Sequence, residues 1–412
     1  MPIGILHQGF TEGLDSIPYG WPIVKVASVF GVLYLLKWYF NGAVNTSERN
    51  MHSKVVMVTG GTAGIGAEVV KGLASRGAQI ILLVQQPLSD PFLVDYIEDL
   101  REQTGNELIT AEHVDLTSLH SIRVFATKWV DNAPPRRLDT IILCANTMTP
   151  MGGKAAITED GLESTWGLNY MANFHLLSIL SPALRAQPPD RDVRIIFGTC
   201  SAYMAGKMPD FDSKPAPKKT KVEAGQIEFE PSRVYATSKL ALMTFAVAFQ
   251  KHLNAYVRPD KKPMNARVIM VDPGWTRTPG MRRHLTLGTL WGLALYLIMW
   301  PVWWLVLKSS DQGAQTFLHA VMEAEWGRGE GGYFLKECRK VGWTRAEIND
   351  EDLQKKLWSS SEKTIELLEK EGAKRRAVEK KESEKAEKNE AKTAAKSTAK
   401  EANGETKQRK GK

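Results

Sequence analysis

From residue 54 to about residue 340, short apolar runs alternate with longer stretches whose apolar positions recur every three or four residues. The runs at 55–59, 79–84, 109–114, 140–144, 193–197 and 266–271 predict buried strands. The stretches at 67–76, 118–130, 161–184, 233–256 and 311–325 predict amphipathic helices; in the last of them Ala314, Phe317, Leu318 and Val321 share one face. Strand and helix in regular alternation imply an α/β fold, a doubly wound parallel sheet covered by helices on both sides. Residues 209–231 interrupt the alternation with Pro, Lys, Asp and Glu and no period, which predicts a surface insertion.

Two apolar runs do not fit this scheme. Residues 21–40 are apolar except for Lys25 and Lys37. A cleaved secretory leader would need small residues after the run, and Lys37-Trp38-Tyr39-Phe40 stands there instead. A retained membrane anchor is the better reading, after a leader of residues 1–20 and before a polar linker at 41–53. Residues 285–307 carry no charge, hold five Trp and Tyr, and lie between Arg282-Arg283 and Lys308. That run is long enough to span. Spanning once would strand the last helix and strand of the same sheet across the bilayer, so we expect a re-entrant or interfacial segment, bent at Pro301, with tryptophans and cations at headgroup level. A buried lid helix or a dimer interface is the alternative.

Charge adds little until it is located. The net +8 concentrates at the end, where residues 371–412 hold 14 Lys/Arg against 8 Asp/Glu. The rest is near neutral and has no basic patch interleaved with stacking aromatics, so nucleic acid is not an expected partner. From about residue 355 the Lys/Glu/Ala-rich tail has too few apolar residues to offset its ordering entropy. We expect it to be largely disordered or a frayed single helix. Cys144, Cys200 and Cys338 are too few and too scattered for a disulfide framework or a zinc site, and no metal site is expected. Asn45-Thr46-Ser47 is formally a glycan acceptor beside the anchor.

The chemistry begins at Val-Val-Met-Val-Thr-Gly-Gly-Thr-Ala-Gly-Ile-Gly, residues 55–66. A strand, a glycine-rich turn and a helix start make a cradle for pyrophosphate, because free N–H groups and the helix dipole favour anionic oxygens. Gly60 permits the turn, Gly64 the approach of a ligand, and Gly66 the packing of helix on strand. About 170 residues later stands Tyr235-Ala236-Thr237-Ser238-Lys239. On a helix, positions i and i+4 share a face, so the Lys239 cation can lower the pKa of the Tyr235 phenol for proton exchange during hydride transfer.

Together these motifs resemble the short-chain dehydrogenase/reductase family over about residues 54–340, and within it the retinol-dehydrogenase-like branch and fungal lipid-droplet oxidoreductases. The resemblance implies a Rossmann-type reductase domain over residues 54–350. Tyr235 is then the general acid/base, Lys239 its partner and a ribose ligand, and Asn169 a proton relay. Gly60, Gly64, Ile65, Gly66, Asp115 and Thr278 then hold the cofactor. The strand-four motif departs from the family at Cys144-Ala145-Asn146. The substrate-orienting serine falls on Cys200 in a gapless alignment; we assign the role to Ser201, since a hydroxyl is the better donor. Position 84 is Val where an acid would select NAD(H), and position 85 is Gln where an arginine would select NADP(H). Without the repelling carboxylate, NADP(H) is favoured and NAD(H) is the other candidate.

The expected function is interconversion of a hydrophobic alcohol, lipid or sterol-like, with its ketone or aldehyde. Its setting would be the endoplasmic reticulum membrane or a lipid-droplet surface, with the catalytic domain facing the cytosol and a homodimer allowed. The competing class is an inactive nucleotide-binding member that organises membrane proteins through its tail.

Overall fold

The structure, a computed structural model, describes residue 11, residues 19–209, residue 211 and residues 230–408, with side chains described as far as residue 383. The expected leader and the expected insertion fall almost wholly outside these residues. The chain divides into two compact units, Met1–Ser359 and Ser360–Lys412.

The first unit is built on an eight-stranded sheet. Its strands are β1 (Val55–Thr59), β2 (Gln79–Val84), β3 (Ile109–His113), β4 (Thr140–Leu143), β5 (Val193–Gly198), β6 (Ala266–Asp272), β7 (Tyr333–Lys336) and β8 (Arg339–Lys340). They lie in the order β3-β2-β1-β4-β5-β6-β7-β8, all pairs parallel except the final β7–β8 hairpin. The six expected strands are all present; five are covered on both faces, which is why they read as continuous apolar runs, while β3 at the sheet edge is largely uncovered. The order reverses between β1 and β4, and a ligand crevice opens at the carboxyl ends of strands around such a reversal.

The helices, in chain order, begin with α1 (Gly20–Asn41) ahead of the sheet. There follow α2 (Gly64–Ala74), α3 (Pro91–Thr104), α4 (Leu119–Val130), α5 (Ser164–Trp166), α6 (Ala172–Arg185) and α7 (Pro231–Asn254). A π-turn, Gly167–Met171, joins α5 to α6. The series ends with α8 (Pro279–Leu285), α9 (Leu290–Ile298), α10 (Trp300–Val306), α11 (Ser310–Met322) and α12 (Glu351–Gln408). One apolar cluster joins Val69, Val70 and Leu73 of α2 to Phe317, Leu318 and Val321 of α11 over β1, β2 and β6. On the other face Phe174, Phe245, Phe249 and Trp358 stack ring against ring. Helix α3 was not expected; only Leu93 and Leu100 are buried in it.

The tail, expected to be largely disordered or a frayed single helix, is helical over its described residues. Helix α12 starts with a packed turn, Gln354 and Leu357 being buried, and continues to Gln408. Its Ala, Glu and Lys are strong helix formers and supply spaced pairs such as Lys370–Glu366 at 2.7 Å.

Helix α1 is apolar all round and exposed from Trp21 to Leu36. It is the one helix among the described residues long and apolar enough to cross a membrane. The 285–307 run is two short helices, α9 and α10, broken at Met299 just before Pro301. Leu290, Trp291, Leu297, Ile298, Trp300 and Trp304 stand exposed on them. Neither helix is long enough to span by itself. Lys37 of α1 donates to the last-turn carbonyls of α10, Trp304 O at 2.7 Å and Leu307 O at 3.3 Å, and lies over the Trp304 ring.

The segment 42–53 is no loose linker. Ala43 N donates to Glu337 Oε2 at 2.8 Å, and Asn45 N to Gln315 Oε1 at 3.2 Å. Ser47 bonds Glu323, and Arg49 pairs with Asp192 at 2.9 Å. Asp192 in turn holds the fully buried Arg194. The segment is a strap tied to the sheet edge and α11, and it leads straight out of α1.

Candidate active site

The glycine turn follows from β1 and the start of α2. Gly60 and Gly64 have φ of +66° and +58°, a region that favours glycine. A Cβ on Gly66 would lie 2.1 Å from Gly60 O, so helix and turn touch backbone to backbone. Ala63 gives α2 no side-chain cap, and the amides of the first turn are left to a ligand. Tyr96 of α3 donates to Gly61 O at 2.9 Å and braces the turn from behind. Thr278 stands opposite Gly64 and caps α8 through Met281 N. Asp115 follows β3 and holds Thr117 N at 2.8 Å. A pyrophosphate fits this cradle, since the N-terminus of α2 has no side-chain cap and Gly60, Gly64 and Gly66 keep the turn's backbone bare.

On the other side of the reversal, α7 carries Tyr235 and Lys239 on one face, with Lys239 Nζ 5.7 Å from the Tyr235 ring centroid. The ammonium is buried and donates to Gly198 O at 3.0 Å; burial holds its pKa below the ordinary lysine value. The phenol oxygen meets Asn146 Nδ2 at 3.3 Å and Cys200 Sγ at 3.4 Å. Burial, followed by the neighbouring thiol, pushes the Tyr235 pKa well above 10, so the lowering expected from Lys239 is outweighed here. Burial also pushes the Cys144 thiol up to about 12, which leaves it an inert neutral group.

Two further expected site residues are placed as follows. Ser201, assigned to orient the substrate, instead bonds Asp272 and accepts from Lys336 Nζ at 3.0 Å. The reason is local: β5 ends at Gly198, Cys200 is extended, and a 3-10 turn starts at Ser201, which still lines the cavity described below. The thiol of Cys200 faces Tyr235. Asn169 sits in the π-turn and spends its carboxamide on the loop after β4, accepting from Thr147 N at 2.8 Å and donating to Thr147 O at 2.9 Å. It also donates to Ser238 Oγ at 3.3 Å.

Of these groups, Asn146, Cys200, Ser201, Tyr235 and Lys239 open into one cavity of about 740 Å³, which Asn169, Asp115 and the cradle glycines do not line. Ile65 and Thr278 line it with Tyr235, as do Trp303 and Val306 of α10 and Leu307 just after it. Helix α10 thus shows one side to the cavity and another, with Trp300, Val302 and Trp304, to the outside. Among the described residues no group of His, Cys, Asp and Glu is placed to hold a metal.

Residues 54–210 match the family model described as short chain dehydrogenase. An uncharacterised oxidoreductase of Schizosaccharomyces pombe is 41% identical over 386 residues, spanning 92% of this chain and all of that protein. Human retinol dehydrogenase 13 is 30% identical over 346 residues, covering 84% of this chain and 95% of its own length. Mouse polyprenol dehydrogenase is 30% identical over 310 residues, 74% of this chain and 82% of its own. Among solved structures, an uncharacterised protein from Mycobacterium paratuberculosis superposes with a TM-score of 0.53 at 21% identity, over 79% of this chain and 98% of that one, a likeness of fold.

Proposed function

The chain belongs to the short-chain dehydrogenase/reductase family, and from that premise we propose an NADP(H)-dependent oxidoreductase that interconverts a hydrophobic alcohol with its ketone or aldehyde at a membrane or lipid-droplet surface. The observation that carries the reading is the cavity, which is lined both by a Tyr-Lys pair and by the inner side of an outwardly apolar helix. Retinol and polyprenol, named for two relatives, are apolar alcohols of the kind such a cavity would take.

A bound nicotinamide supplies or removes the hydride. The protein's part is proton transfer and placement. Tyr235 gives its proton to the substrate oxygen as a carbonyl is reduced, and takes it back in the reverse reaction. Lys239 fixes the geometry of the strand end through Gly198 O and offers its charge to the phenolate that forms. Gly60, Gly64, Ile65 and Gly66 take the pyrophosphate, with Thr278 at the nicotinamide end and Asp115 at the adenine end. Val84 and the exposed Gln85 present no carboxylate to a 2′-phosphate, which supports NADP(H) over NAD(H).

Helix α1 and the α9–α10 pair seat the domain on lipid, with Arg282, Arg283 and the tryptophans at headgroup level. The cytosolic face of the endoplasmic reticulum or a lipid droplet suits the unpaired cysteines and the Lys-rich tail. The deciding experiment is oxidation of NADPH or NADH by the full-length protein in vesicles with a panel of long-chain aldehydes and ketones. Turnover with NADPH, abolished in Tyr235→Phe while cofactor binding persists, is the expected result. Activity retained in that variant sinks the mechanism, tighter NADH binding reverses the cofactor choice, and a wild type inert to the whole panel favours the non-catalytic alternative.

A further inference from the structure

Any substrate oxygen that takes a proton from Tyr235 must come within hydrogen-bond reach of its phenol. It then also lies beside the two groups that already flank that oxygen, Asn146 Nδ2 and Cys200 Sγ. The two are unequal. A thiol is a weak donor, whereas a carboxamide nitrogen carries two protons. One proton of Asn146 is aimed at Tyr235 across 3.3 Å, and among the described residues the nitrogen makes no other hydrogen bond.

The backbone holds Asn146 in place on both sides. Ala145 N donates to Thr59 Oγ1 at 3.2 Å, and Thr147 is gripped at N and O by the Asn169 carboxamide. The side chain between these clamps is exposed and lines the cavity. A rigid backbone presenting a free donor where charge develops is what stabilises an oxyanion.

We propose that Asn146 is the second hydrogen-bond donor to the substrate oxygen, in the post left weakly filled by Cys200. This rests on the oxidoreductase reading above. During reduction the carbonyl carbon accepts hydride from the bound reduced nicotinamide and the oxygen accepts the Tyr235 proton, leaving phenolate. Asn146 keeps both its protons and hydrogen-bonds the oxygen throughout. On this account Asn169 is a positioning residue acting through Thr147.

The test compares Asn146→Ala, Cys200→Ala and the double variant Asn146→Ala/Cys200→Ser in full-length protein, with a long-chain aldehyde and reduced cofactor. Asn146→Ala should lose about 100-fold in kcat with little change in KM, and Cys200→Ala only a few-fold. The serine in the double variant should restore part of the loss. A second reading needs no turnover: ultraviolet titration of the Tyr235 phenol without cofactor, referenced to Tyr235→Phe, should move to higher pH in Asn146→Ala. An active Asn146→Ala or an unmoved titration overturns the proposal, as does a Cys200→Ala loss that matches or exceeds it. An inactive wild type instead refutes the reading beneath it.

Discussion

At the scale of single residues, Tyr235 is poised as an acid. Burial favours its neutral form, so the proton needed for carbonyl reduction is in place throughout the neutral range. The reverse reaction needs the phenolate, whose fraction grows about tenfold per pH unit below the pKa. Reduction should therefore be flat from pH 6 to 8.5, roughly, while alcohol oxidation climbs over the same span. Rate profiles in both directions check this, and an oxidation plateau beginning below neutrality would contradict it. The Tyr235–Lys239 pair was legible because helical spacing alone puts both on one face. Cys200 and Ser201 were not, since a one-residue difference in where β5 gives way to the 3-10 turn decides which of them faces the phenol. Asn146 reaches Tyr235 across 89 positions of sequence through two loop clamps. Tyr96 likewise meets the glycine turn across 35 positions, from a helix that was not expected. No local pattern announces either contact.

At the scale of elements, the β1–α2 turn depends on its glycines for two different reasons. Gly66 is required by contact, Gly64 by backbone conformation. Gly66→Ala must push backbone from backbone and should destabilise the protein by about 2–3 kcal/mol. Gly64→Ala meets only the Thr278 side chain and pays for a left-handed conformation, about 1–2 kcal/mol. Both should weaken cofactor binding. Thermal melts and cofactor titrations separate the two, and a Gly64 effect on stability larger than the Gly66 effect would refute this ordering. The alternation of strand and helix was legible because a parallel sheet covered on both faces writes each strand as an unbroken apolar run. A last strand after residue 308 was expected, but not its hairpin partner β8. The hairpin's short strands follow a glycine-rich stretch and take their place from pairing with β6.

At the scale of the whole molecule, both apolar elements leave the domain at one carboxylate. Glu337 accepts from Ala43 N, just after α1, and pairs with the buried Lys308, just after α10. Lys37 closes the arrangement from the other side by holding the end of α10. Glu337 has a φ of +51°, which asparagine tolerates, so Glu337→Asn removes the charge and shortens the reach while sparing the turn. That variant should stay with vesicles in flotation yet lose about tenfold in kcat/KM for a long-chain aldehyde. A short water-soluble carbonyl should be turned over as before. Equal losses on both substrates would show that Glu337 serves stability alone. On the proposed reading of α1 as a membrane anchor, that helix is thus no interchangeable address label. Grafting the catalytic unit onto another protein's anchor would deliver it to the same bilayer with its doorway cut adrift from the helix that frames it.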